Sequence, residues 1–493
     1  MASELLRQAR SYEEKNRPLV KQQLPLFHLT GGVGWINDPN GFAPYRGEYH
    51  LFFQYYPYDV KWGPMHWGHA KTKDFIRWEL LPAALAPDAE YDREGCFSGG
   101  AVELPDGRHM LMYTGVQREK QADGTFQIRQ TQCVAFGDGV DYEKSPLNPV
   151  ISGADLPEGG SPVDFRDPKI WREGDTFYAV IVDRGPDGSG TVLLYESKDG
   201  LNWKLDGNLA QCHYRYGKMW ECPDLFALDG KDVLIHSAQD MRPEGLEYHA
   251  GNGKVCHVGR LDRENWQFAD ENIHAMEYGL DFYAPQTLET EDGRRVLVGW
   301  MQSWESSGQT REGLGFMGQM TIPRELRVRN GRVCQMPVRE LERYRRNPVK
   351  YRNVRVTGDT VLSGVQGRFV DLLLEIRQEP GETCREFTLE IAKNDDYVTT
   401  ITLHPQEGTI TLDRAYSGFN RDIVNQRTFP ASLSGETIRF RLILDRYSAE
   451  LFVGEGEQAA SMVLYTPLEA EGISMRADTA ALVDVEKYEI VVD

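Results

Sequence analysis

The sequence predicts an all-β protein, a five-bladed β-propeller followed by a C-terminal β-sandwich. Three observations carry that reading. A glycine turn followed at once by an apolar strand occurs five times, and an Asp with an aromatic residue four positions later keeps the same beat. Beyond residue 354 the beat gives way to short alternating strands.

The elements follow in order. Residues 3–16 read as a polar helix, with Leu5, Leu6 and Ala9 on one side, charges elsewhere and Pro18 as the stop. Residues 1–24 are therefore a helical segment ahead of the first domain. The turns come next: Arg46-Gly47 before Tyr49–Tyr55, Asp106-Gly107 before His109–Thr114, Glu173-Gly174 before Thr176–Val182, Asp229-Gly230 before Val233–His236, and Asp292-Gly293 before Val296–Met301. Their glycines are 60, 67, 56 and 63 residues apart. Glycine supplies the positive φ of a tight hairpin, and the β-branched and aromatic runs supply the strand. The second marker, Asp74…Trp78, Asp138…Tyr142, Asp199…Trp203 and Asp262…Trp266, repeats at 64, 61 and 63 residues. A unit of several strands that cannot bury both faces alone must stack on its neighbours, and four-stranded units set around an axis make a propeller. Residues 25–336 are assigned to it; unrelated hairpins in one large sandwich are the alternative. Residues 337–353, charged from Pro337 to Asn347, read as a helical linker. Residues 354–493 carry strands at Phe387–Ile391, Val398–Leu403, Thr409–Leu412, Ile438–Leu444 and Ser448–Phe452, the spacing of a sandwich.

Composition bounds the function. The 493 residues are 40% hydrophobic and 11% aromatic, which excludes disorder, and a net charge of −20 argues against nucleic acid or an anionic membrane as partner. The seven cysteines are scattered with no Cys-x-x-Cys pair, so neither a zinc ribbon nor a disulfide framework is expected. The first residues are too charged for a signal peptide, and no apolar run is long enough to span a membrane. A cytoplasmic location is the expectation.

Equivalent positions in the blades should occupy equivalent places in space. Nine residues before Gly47 lies Asp38; nine before Gly107, Ser98; seven before Gly174, Asp167; nine before Gly230, Glu221; and ten before Gly293, Tyr283. The innermost strands line the channel, so these five should ring one end, three of them as carboxylic acids. Glycoside hydrolysis needs two carboxyl groups, one to attack or to activate water and one to protonate the leaving oxygen. Taken alone, Asp38 in Asn37-Asp38-Pro39-Asn40-Gly41 and Asp167 in Arg166-Asp167-Pro168 also read as polar turns. Glu221, between Trp220 and Cys222, does not, because desolvating a carboxylate there is costly. Desolvation and like charge should suit Glu221 to be a general acid, whereas Asp38 among amides should stay ionised as a nucleophile. Of the nearby aromatics, Trp35, Trp62, Phe97 and Trp300 are expected to stack on a sugar ring, and the rest to be core.

The segment His28-Leu-Thr-Gly-Gly-Val-Gly-Trp35-Ile-Asn37-Asp38-Pro-Asn-Gly41 resembles the signature of glycoside hydrolase family 32, the β-fructofuranosidases. Phe52-Phe53-Gln54-Tyr55, Lys61-Trp62-Gly63 to Ala70, Phe97-Ser98-Gly99, Phe165-Arg166-Asp167-Pro168, Trp220-Glu221-Cys222-Pro223-Asp224, Phe282-Tyr283-Ala284-Pro285-Gln286 and Gly299-Trp300 resemble its further motifs, in the same order. Gly31-Gly32-Val33, Ile36 and Gly100 depart from the family's usual residues. The resemblance implies a retaining mechanism with neither metal nor organic cofactor. In it Asp38 is the nucleophile, Glu221 the acid/base and Asp167 the transition-state stabiliser, with Asn37, Gln54, Trp62, Phe97, Ser98, Arg166 and Trp300 around the fructosyl unit; Trp35, as a nearby aromatic, and Tyr283, as a ring position, join them as substrate-binding candidates. Retention places the two carboxyl groups about 5–5.5 Å apart, inversion about 6.5–9.5 Å.

Three rivals stay open: an inverting five-bladed glycosidase acting on arabinose or xylose polymers, a fructosyltransferase, and a non-catalytic sugar-binding propeller. The expected partner is a small sugar: sucrose, its 6-phosphate, short fructo-oligosaccharides or inulin. A phosphate would call for a cation such as Lys61, Arg93 or Arg215 at the pocket mouth. The sandwich is assigned a structural role over sugar binding or dimerisation into a homo-oligomer. The loop Ser303–Gly315, with Gly308, Gly313 and Gly315, is expected to be mobile beside Trp300.

Overall fold

The structure, a computed structural model, describes residues 2–308, 313–418, 423–431 and 437–492. Part of the glycine-rich loop expected to be mobile, residues 309–312, lies outside the described residues.

The chain opens with a helix, Glu4–Val20, whose Ser3 N-cap accepts from the Leu6 amide at 3.1 Å. The sequence placed its end at Pro18, but the helix runs past it. Arg17 donates to Gly31 O, Leu81 O and Glu13, pinning the last turn to the propeller, so the one donor lost at Pro18 does not end it.

Five sheets follow, each with an innermost strand: Gly34–Tyr45, Gly95–Glu103, Arg166–Glu173, Met219–Leu228 and Tyr283–Glu289. Each lies against the next around the axis, and the last against the first. The five predicted turns join innermost to second strands, and Gly47, Gly107, Gly174, Gly230 and Gly293 all have positive φ with open space around them. The four repeated Asp residues start the turns before the outermost strands of the first four blades, where one oxygen of each accepts two backbone amides (for Asp199, from Leu201 and Asn202). In the fifth blade Asn330-Gly331 takes that place between Arg324–Arg329 and Arg332–Pro337. Gly34 and Trp35 also pair in parallel with Phe316 and Met317, which return from the fifth blade and close the ring.

All five innermost strands are bulged at the same level, between Ile36 and Pro39, Phe97 and Gly99, Arg166 and Lys169, Glu221 and Asp224, and Tyr283 and Gln286. Proline cannot donate to a ladder. Pro39, Pro168, Pro223 and Pro285 occupy four of these bulges, and Ser98-Gly99 the fifth. A bulge re-aims side chains, and here it turns the ring positions toward the channel.

The linker departs from the helical expectation for 337–353. Only Arg339–Tyr344 is helical, as a 3-10 turn, and a strand, Arg345–Thr360, begins at once. That strand pairs with the long final strand Gly472–Ile490. The other edge of Gly472–Ile490 pairs through residues 481–489 with Val370–Gln378 and through 472–477 with Phe387–Lys393, so one strand serves both layers of the sandwich. All five sandwich strands named from sequence are present. The domains share a continuous core in which Ile443, Phe452 and Ala459 pack with Phe27, Leu29, Val298 and Ile322. Among the described residues no helix is long and apolar enough to cross a membrane.

Candidate active site

The ring positions converge at the bulged end. Ser98 Oγ donates to Asp38 Oδ2 at 2.7 Å, and Tyr283 OH donates to Glu221 Oε2 at 2.7 Å. Asp167 Oδ2 accepts the Cys222 amide at 3.0 Å. Arg166 donates through Nε and Nη2 to Glu221 Oε1 at 3.2 and 3.1 Å. The Cys222 thiol lies between two acids, 3.6 Å from Asp38 Oδ2 and 3.7 Å from Asp167 Oδ2. Acids from the first, third and fourth blades thus share one cluster. Asp167 and Cys222 hold positive φ angles of 61° and 49°, conformations that cost of order 1–3 kcal/mol each and persist only where the surroundings enforce them.

The electrostatics follow from burial. Desolvation, and then the charge of Glu221, raise the Asp38 carboxyl above its ordinary range, against hydrogen bonds from Ser98, Asn37 and Cys222. The amide surroundings expected to keep Asp38 ionised are present, and they act against its burial. Burial pushes Asp167 up to about 7, with Arg166 opposing and the Glu221 and Asp38 charges adding to the rise. The Tyr283 phenol is held well above its usual range, by burial and then by Glu221, and so remains a donor. Burial, and then Asp167 and Asp38, keep Cys222 as a thiol.

The remaining sequence-predicted residues divide. Trp35 Nε1 donates to Asn37 Oδ1 at 2.8 Å, and Asn37 Nδ2 to Asp38 Oδ1 at 3.1 Å, a short relay that orients the acid. Gln54 commits its amide to Cys96 O, tying the first blade to the second. Trp62, 48% exposed, meets the half-buried Phe97 edge to face at 6.1 Å. Trp300 departs from its expected sugar-stacking place: it is 0% exposed and packs against Trp35 at 5.9 Å and Trp304 at 5.0 Å, which cover it. Lys61, Arg93 and Arg215 are exposed, and the Arg215 guanidinium lies over the Tyr216 ring.

Sequence reasoning missed Cys222 and Trp304. The first was findable, because Cys222 precedes Pro223 as Asp38 precedes Pro39 and Asp167 precedes Pro168; the second lies in a loop that carries no repeat. Among the described residues no group of three His, Cys, Asp or Glu side chains is placed to hold a metal ion.

Comparison with known proteins gives two family matches, "Glycosyl hydrolases family 32 N-terminal domain" over residues 28–337 and "Glycosyl hydrolases family 32 C terminal" over 340–491. An Escherichia coli sucrose-6-phosphate hydrolase is 35% identical over 460 residues, covering 92% of this chain and 91% of the relative. An Escherichia coli raffinose invertase is 36% identical over 466 residues, 92% of each. Among solved structures, a Bombyx mori family 32 β-fructofuranosidase superposes with a TM-score of 0.83 at 33% identity, covering 98% of this chain and 97% of that one. A variant of it in complex with sucrose gives 0.85 at 32%, covering 99% of each chain.

Proposed function

The chain belongs to glycoside hydrolase family 32, and from that premise we propose that it is a retaining β-fructofuranosidase, releasing terminal fructosyl units from sucrose and short fructo-oligosaccharides. The observation that carries the reading is the meeting of Asp38, Asp167 and Glu221 on one rim, with Asp38 and Asp167 both raised by burial and by the charge of Glu221.

In this reading Asp38 attacks the anomeric C2 of the fructosyl unit while Glu221 passes its proton to the glycosidic oxygen. The C2–O bond breaks, the leaving sugar departs as an alcohol, and an ester joins C2 to Asp38. Glu221 then takes a proton from water, whose oxygen displaces Asp38 from C2 and frees fructose. Arg166 and Tyr283 grip the two oxygens of Glu221, and Asp167 binds fructosyl hydroxyls as positive charge builds at C2. Asp38 must be ionised to attack, so activity falls as pH drops through its raised range. The chemistry is assigned to the propeller (25–336), the sandwich (354–493) supports it, and no metal or organic cofactor takes part. The seven free, buried thiols suit a cytoplasmic enzyme.

A second reading, sucrose 6-phosphate as substrate, is favoured by the name of the Escherichia coli relative. Turnover on sucrose, sucrose 6-phosphate and kestose compares the two. Asp38→Ala and Glu221→Gln are each expected to fold and to lose at least about 10³-fold in kcat. Fructose release near the wild-type rate by either variant would refute the roles assigned.

A further inference from the structure

After Trp300 the chain leaves the fifth blade, passes through 301–308 beside the rim and returns at Phe316 to pair with the strand that carries Asp38. Trp304 is the half-buried aromatic of this loop. Its ring lies 6.2 Å from Trp35 at 26° and 5.0 Å from Trp300. Trp35 is the residue whose indole fixes Asn37, and Asn37 donates to Asp38. Trp304 thus packs on the residue that begins the relay to Asp38.

What fixes Trp304 is not the propeller alone. Ser303 and Ser306 close a turn around it, with Ser306 N donating to Ser303 O and the two hydroxyls 2.8 Å apart. Ser307 Oγ donates to Trp304 O at 2.9 Å. The turn is anchored below, where Ser306 Oγ donates to Asp281 Oδ1 at 3.0 Å. Asp281 is 0% exposed, and its charge is met by Arg414, a 1% exposed residue of the sandwich that also donates to Val463 O at 3.0 Å. The Val463 amide, also from the sandwich, donates to Asp281 Oδ2 at 2.8 Å. Gln302 Nε2 reinforces the arrangement by donating to Ser306 Oγ at 3.0 Å. A buried carboxylate is tolerated only where paired and fully hydrogen-bonded, so Asp281 holds its place because the sandwich supplies a guanidinium and an amide.

We infer that Arg414 is a positioning residue for the sugar pocket: acting through Asp281 and Ser306, it sets the loop that holds Trp304 as an aromatic wall against the bound sugar. The sandwich thereby contributes to substrate affinity without touching substrate. The inference rests on the fructosidase reading of the site.

The test is steady-state kinetics on sucrose with Ser306→Ala, Trp304→Ala, the double variant and Arg414→Lys, each with its melting temperature. Loss of a wall that binds ground and transition states alike raises KM and leaves kcat. Ser306→Ala is expected to raise KM about fivefold, with kcat within twofold of wild type and little change in melting temperature. Because Ser306 acts through Trp304, the double variant should match Trp304→Ala alone. Arg414→Lys keeps the charge but loses the fork, and should shift KM in the same direction; should it not fold, Ser306→Ala carries the test. An unchanged KM in Ser306→Ala, or additive effects in the double variant, overturns the inference while the wild type still releases fructose. A wild type that releases none overturns the functional reading and the inference with it.

Discussion

Asp167 shows how a site residue opposes the fold that holds it. Burial outweighs Arg166 and pushes its carboxyl up to about 7 in the folded protein, whereas an unperturbed Asp ionises near 3.9. Between those values the folded state binds more protons at this group, so its contribution to stability falls as pH rises from about 4 to about 7. Asp167→Asn keeps an oxygen to accept the Cys222 amide and removes the penalty. It should melt above wild type at pH 8, the difference should vanish below about pH 4, and activity should be lost. A thermal melt series across pH checks this. Asp167 was legible in the sequence because its distance from a turn glycine is short and local. The partners that shift it, Glu221 and Asp38, lie on other blades, and no local pattern reports their approach.

At the scale of elements, the glycines separate two demands. Gly34 and Gly47 share a φ of +75°, yet a Cβ on Gly34 would sit 2.3 Å from Tyr56 O, while one on Gly47 meets nothing within 4 Å. Gly47→Ala should cost about 1 kcal/mol through its backbone alone and leave kcat unchanged. Gly34→Ala must displace the entry to the strand carrying Trp35 and Asp38, and should cost more and lower kcat. Urea midpoints and kinetics on both variants check the contrast. The turns were legible because positive φ and Asp-capped turns are written in two or three adjacent residues. The run of the helix past Pro18 was not, since it depends on Arg17 reaching Gly31 and Leu81. Nor was the strand within 345–353, whose partner lies at the far end of the chain.

Over the whole molecule, buried charge joins the two domains. His28 Nδ1 lies 2.7 Å from Asp445 Oδ2 and Nε2 2.8 Å from Glu450 Oε1, while Arg324 meets Glu450 from the fifth blade. Burial opposes charge on His28, but the hydrogen bonds to Asp445 and Glu450 prevail and raise it to about 9. A raised histidine lends stability that is complete below about 6.5 and lost as pH climbs through its folded value. His28→Gln should therefore melt well below wild type at pH 6, and the gap should narrow by pH 9.5. The sequence conveyed both architectures through their periodicities, but not this lock, because its partners are more than four hundred residues apart. The proposed reaction stands on one chemical event, the ester between Asp38 and C2. NMR of the first fructose released from sucrose, recorded before mutarotation, tests it most directly. Two displacements deliver β-fructofuranose first, as the account predicts, and α-fructofuranose as the first product would contradict it.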